Sequence, residues 1–108
     1  MSRLQEPSFL ILTALAGEAR HGYSLLQEVS ELSGGVVQLK VGSLYGALDR
    51  LAAQGLIEID REEVFDSRLR RYYRLTAAGA QRLAVEAQRM HEQSGAAMRR
   101  LRPGTATA

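Results

Sequence analysis

The residues best suited to chemistry in this 108-residue chain are arginines and tyrosines, and their spacing suits phosphate recognition. Arg68, Arg70, Arg71 and Arg74 crowd the stretch 68–74, which holds no acid, directly after an acid-rich run from Glu58 to Asp66. Local clustering of this kind is what docking on a polyanion requires, although a salt-bridged, solvated strand surface uses the same residues. Upstream lies a second group: Lys40, Ser43, Tyr45, Gly46 and Arg50. Lys40 suits a phosphate clamp, and Ser43 suits either a helix cap or a phosphate contact near a helix amino terminus. The Tyr45 phenol suits a phosphate or base contact, or partly buried packing under a neighbouring hairpin. Tyr23 opens another helical segment and either packs or reaches a phosphate from there.

Other chemistries find little support. His21 and His91 lie far apart without ligand-spaced acids, so no metal site is expected, and His21 reads as a turn or capping residue. There is no nucleophile with a base at recognisable spacing, no phosphate loop and no plausible pair of carboxylates, so no enzyme and no cofactor are expected. Cysteine is absent, which removes disulfides and thiolate metal sites. The formal net charge of +2 is weak support for a polyanion partner, so the distribution of charge carries the argument. No apolar run reaches the roughly 18 residues of a membrane span, and no signal peptide is evident, so a cytoplasmic protein is expected.

These residues need elements to position them. Pro7 suits the first turn of a helix that runs through the apolar stretch Phe9 to Ala16. The segment 17–22 reads as a connection. Tyr23 to Leu32 reads as a second helix with Leu25, Leu26, Val29 and Leu32 on one side, ended by Ser33-Gly34-Gly35. The segment 36–41 alternates as a short strand or extended turn. Leu44, Leu48 and Leu51 recur at helical spacing in the third helix, which Gly55 stops by taking a left-handed conformation. Residues 56–64 and 69–75 then read as two antiparallel strands joined by 65–68. Alternation places Ile57 with Ile59 on one face, and Tyr73 with Leu75 on one face of the partner strand. Glu58, Asp60 and Glu62 face Arg70, Arg71 and Arg74 as cross-strand pairs.

Thr76 is a candidate cap for a final helix running to about Leu101, interrupted at Gly95. Leu83, Ala87, Met90, Ser94, Ala97 and Leu101 follow one another at spacings of four and three, a coiled-coil-like seam. A helix this long cannot bury its seam on a small domain, so a second copy of the same helix is the simplest partner. Phe9 and Leu12 join Leu83, Ala87, Met90, Ala97 and Leu101 as candidate dimer contacts. Met90 is flexible enough to line an adaptable effector pocket instead, with Leu15 from the first helix. The order is α1-α2-α3-β-β-α4: mainly α with a small β-hairpin, a winged helix-turn-helix with a long C-terminal dimerisation helix. Residues 1–75 form the expected DNA-binding domain, 76–102 the dimerisation helix and 103–108 a disordered tail.

Four motifs carry a family resemblance: His21-Gly22-Tyr23; Gly42-Ser43-Leu44-Tyr45 with Leu48, Arg50 and Leu51; Gly55-Leu56-Ile57; and Arg71-Tyr72-Tyr73-Arg74-Leu75-Thr76 with Gly79. In their order and spacing they resemble the PadR-like winged helix-turn-helix regulators over roughly residues 8–90. The resemblance implies a homodimeric transcription regulator, usually a repressor, released from its operator by a small hydrophobic or aromatic molecule. The short carboxy-terminal region is similar to the branch with a single dimerisation helix. Two positions depart from the family's habit. Asp49 stands where a basic residue is frequent and would repel phosphate, and Ser67 stands where the wing often has glycine. The DNA-binding set is then Tyr23, Lys40, Ser43, Tyr45, Gly46, Arg50, Arg68, Arg70 and Arg71. A symmetric dimer would place two copies of residues 42–50 in successive major grooves about 34 Å apart, on a pseudo-palindromic operator of double-stranded DNA. The alternative is a winged-helix module for protein interaction or ligand sequestration without DNA, favoured by Asp49 and the acidic first strand.

Overall fold

A computed structural model of the protein describes residues 3–102, so the expected disordered tail, 103–108, lies outside the described residues. Helix α1, Glu6–Leu15, starts with Pro7 in its first turn and buries Leu10, Ile11, Leu12, Ala14 and Leu15. Its near-continuous apolar surface is explained by position: α2, α3, α4 and the sheet all pack against it. Helix α2, Gly22–Leu32, buries Leu25 and Val29. His21 caps it, its Nδ1 accepting the Ser24 backbone N–H at 3.3 Å, which agrees with the capping role expected of it.

The segment between α2 and α3 has no strand, contrary to one of the two readings of 36–41. Ser33 organises it: its hydroxyl donates to the Val29 carbonyl and accepts the Val37 N–H, both at 2.9 Å. Helix α3, Val41–Ala53, buries Leu44, Ala47, Leu48 and Leu51. Gly55 follows it at φ +76°, the left-handed stop expected from the sequence. Ser43 does not cap this helix; the residue at the cap is Lys40, whose side chain makes no capping bond.

Strands β2, Ile57–Phe65, and β3, Arg68–Leu75, form the antiparallel wing. Asp66 and Ser67 are the two turn residues, at φ +53° and +63°. Two positive φ values are what a tight hairpin with the strands' own right-handed twist demands. A further strand, β1 at Arg20–His21, pairs with the other edge of β3, giving the order β1-β3-β2. The 17–22 connection is thus partly sheet. Two residues are too few for any alternation signal, which is why the sequence reads as a loop there. The β2–β3 pairing slips between Ile59 and Arg61. Ile57 is buried beside Tyr73, but Ile59, at the margin of the core, is 49 % exposed, so the two isoleucines do not share a buried face.

Helix α4, Ala77–Leu101, passes through Gly95 without a break. Thr76 fastens its start: the hydroxyl donates to the Gly55 carbonyl at 2.6 Å and accepts the Gly79 N–H at 3.0 Å. Gly79 lies directly on the Leu56 carbonyl oxygen, where any β-carbon would collide with it. Further on, the Glu86 carboxylate accepts the Leu4 backbone N–H at 3.2 Å and pairs with Arg89 at 3.1 Å. The Arg89 bond holds the Glu86 carboxyl below its ordinary range, against the opposing effect of desolvation. Beyond Glu86 the helix leaves the body, and the molecule is drawn out to 65 × 27 × 22 Å.

Candidate nucleic-acid interface

The start of α2, one flank of α3 and the wing enclose an open cleft of about 540 Å³. Gly22, Tyr23 and Tyr45 line it from the two helices, and Arg68, Arg70, Arg71 and Tyr73 from the wing. The sequence motifs meet here physically. Tyr45 reaches from α3 to the start of α2, and a β-carbon on Gly22 would fall 2.5 Å from its hydroxyl. A side chain at position 22 would have to displace the phenol of Tyr45; no positive φ is involved. Tyr45 is 44 % exposed, so the ring is held by packing and still borders the cleft.

His21 extends this tie into the sheet, its ring meeting Tyr72 edge-on at 5.2 Å between centroids. Burial, with Arg70 adding to it, holds the imidazole pKa below the ordinary 6.5. The neutral ring is the form that can accept the Ser24 N–H.

Register divides the wing arginines into two kinds. Arg71 pairs with Glu62 at 3.1 Å, and Arg74 with Glu58 at 3.1 Å and Asp60 at 3.2 Å. Arg70 faces Glu63 across the hairpin, but that carboxylate is held by Arg61 at 2.7 Å. The Arg70 guanidinium instead stacks over the Phe65 ring at 3.8 Å. Arg68 and Arg70 thus keep their charge free of ion pairs with the described residues, and both border the cleft. All four acids of β2 are bonded to arginine, so the acidity of that strand is neutralised from within.

The remaining candidates are placed differently. Lys40, at the cap of α3, and Ser43 and Gly46 within it lie outside the cleft. Arg50 borders a separate groove, shared with Arg3, Gln5, Ser8, Gln54 and Arg82, on the other flank of α3. Leu12 is completely buried and Leu15 nearly so, both in the subunit's own core. That corrects two expectations: Leu12 has no surface for a second subunit, and Leu15 cannot line an effector pocket in this conformation. Their apolar neighbours in sequence gave no way to separate a face inside the subunit from a face between subunits. Phe9 and Leu83 are half-buried against the core, while Ala87, Met90, Ala97 and Leu101 lie exposed along α4. Among the described residues no group of three or more metal-ligating side chains occurs, and no helix is long and apolar enough to cross a membrane.

Comparison with known proteins agrees with this geometry. The chain is 37 % identical over 82 residues to the transcriptional regulator Rv3488 of Mycobacterium tuberculosis, covering 76 % of this chain and 73 % of that one. It spans 64 % of an uncharacterised Lysinibacillus sphaericus protein at 34 % identity and 25 % of a Streptomyces fradiae transposon protein at 38 %. A PadR family regulator from Clostridium difficile R20291 superposes with a TM-score of 0.77 at 25 % identity, over 91 % of this chain and 100 % of that one. Bacillus subtilis PadR, solved in complex with operator DNA, superposes at 0.66 with 25 % identity, over 74 % of this chain and 46 % of that one. The model of the transcriptional regulator PadR-like family matches residues 11–85, which runs from the second half of α1 to the first third of α4 and takes in every motif quoted above. The chain belongs to the PadR-like family of transcriptional regulators.

Proposed function

We propose that the protein is a homodimeric repressor that binds a pseudo-palindromic operator. The exposed face of α3 enters the major groove, and the cleft beside it follows the phosphate backbone. The observation that carries this reading is the pair of arginines, Arg68 and Arg70, without an ion pair among the described residues at the border of a cleft beside α3, while every acid of β2 is bound. Tyr23 and Tyr45, which line the same cleft from α2 and α3, supply hydroxyl contacts, the usual way of fixing register on a duplex. Neutralisation of the β2 acids removes the main argument for a module that avoids DNA. Lys40 and Ser43, at the amino-terminal end of α3, are placed to add phosphate contacts there.

The dimer reading rests on α4. Its distal part is exposed to solvent: Met90 is 41 % and Leu101 78 % exposed, and these residues recur at the coiled-coil spacing. Burying such a stripe against a second copy removes apolar surface from water and sets two α3 helices apart on one side of DNA. A small hydrophobic or aromatic effector seated beside Met90 would bias the spacing of the two halves and release the DNA. The division into residues 1–75 for DNA and 76–102 for dimerisation follows from this arrangement.

Footprinting on the DNA upstream of the protein's own gene, with light scattering of the complex, tests the proposal. Two protected half-sites about one helical turn apart and a two-subunit mass are expected. A monomeric particle, or no protection of any neighbouring promoter at moderate salt, overturns it.

A further inference from the structure

Asp49 has no place in the contacts described so far. It is exposed on α3, opposite the buried Leu44, Leu48 and Leu51, and no basic group among the described residues pairs with it. Helical spacing puts it on the same face as Gly42 and Gly46, seven and three residues earlier. Neither glycine has positive φ, and a β-carbon at Gly42 would touch nothing while one at Gly46 would meet only the Arg50 guanidinium, at 3.6 Å. Packing does not require them, and glycine in a helix interior, where Gly46 lies, is unfavourable. Their effect is a low backbone surface on which Asp49 is the one ionised side chain of the central strip, with Tyr45 on one flank and Arg50 on the other.

We propose that Asp49 is a base-reading residue that selects cytosine in each half-site of the operator. The inference rests on the DNA-binding reading above and deepens it. A carboxylate only accepts hydrogen bonds. Phosphates line the rims of the major groove, whereas the floor beneath a deeply seated helix offers base edges. There cytosine presents the N4 amino donor, and guanine and thymine present acceptors that repel a carboxylate. The adenine N6 donor is flanked by its own N7 and by O4 of the paired thymine, both acceptors. Asp49 therefore gains a bond at cytosine and is penalised at every other base. An acid that weakens attraction to DNA in general becomes a device for discrimination between sequences.

Selection from randomised duplexes, followed by affinity measurements on single-base variants, tests the inference with wild type, Asp49→Asn and Asp49→Ala. Wild type is expected to select cytosine at one symmetric position in each half-site. Asp49→Asn should move that preference to adenine, whose N6 and N7 an amide meets together. Asp49→Ala should lose roughly ten-fold discrimination at that position while binding arbitrary sequence more tightly. Selection of the same base by all three proteins at every position overturns the role of Asp49 and leaves the DNA-binding reading intact. Failure of wild type to select any sequence overturns both.

Discussion

Single residues in this protein do most of their work by holding motifs against one another. The His21-Gly22-Tyr23 turn is tied to α3 through the Tyr45 phenol lying on Gly22, and to the sheet through the His21–Tyr72 ring contact. Gly79 is fixed by the Leu56 carbonyl in the same way. The cap made by His21 depends on a neutral imidazole, and this has a consequence for stability. The unfolded chain takes up a proton at the ordinary value of 6.5, whereas burial and Arg70 hold the folded group lower. The cap's contribution is thus complete above pH 6.5 and is lost as the pH falls through the folded value. Asparagine also caps helices but does not titrate. Chemical denaturation between pH 7.5 and 5.5 should therefore show a flatter pH dependence for His21→Asn than for wild type. Parallel curves would contradict this role.

Among the elements, the wing shows what could and could not be read from the chain. Its two strands, the acid–arginine pairing and the burial of Ile57 and Tyr73 followed from alternation. The identity of the free arginines did not, because the slip after Ile59 resets which side chains oppose one another. Arg71 and Arg74 are spent on β2, and Arg70 remains free only because Arg61 has taken Glu63. Strand β1 escaped notice since two residues carry no period. The leucines of α3 and the glycine that ends it were legible in full, whereas α1, apolar on every side, did not disclose which subunit covers Leu12 and Leu15. Ser67, the residue that departs from the family's glycine, holds φ +63° in the wing turn. The left-handed region costs a residue with a β-carbon roughly 1–2 kcal/mol, part of which glycine returns through its freer unfolded chain. Ser67→Gly should then raise stability by about 0.5–1 kcal/mol in thermal unfolding. A lower melting temperature would show that the turn is not strained.

At the scale of the whole molecule, a compact reading head and a projecting helix are joined through three short-range clamps. Thr76 binds the end of α3, Gly79 sits on Leu56, and Glu86 holds the chain ahead of α1 at Leu4. These contacts tie the start of α4 to the body that carries α3, which is what a dimer needs if its geometry is to set half-site spacing. In the proposed complex recognition is shared: α3 faces the base edges, and the wing provides attraction to the backbone. The salt dependence of operator binding measures this division most directly. Each arginine that neutralises a phosphate contributes about 0.9 to the slope of log affinity against log salt. In a dimer, Arg68→Ala combined with Arg70→Ala should reduce that slope by up to about 4, weaken binding to all sequences alike and leave the preferred sequence unchanged. A double variant that is folded and keeps the wild-type slope would contradict the account.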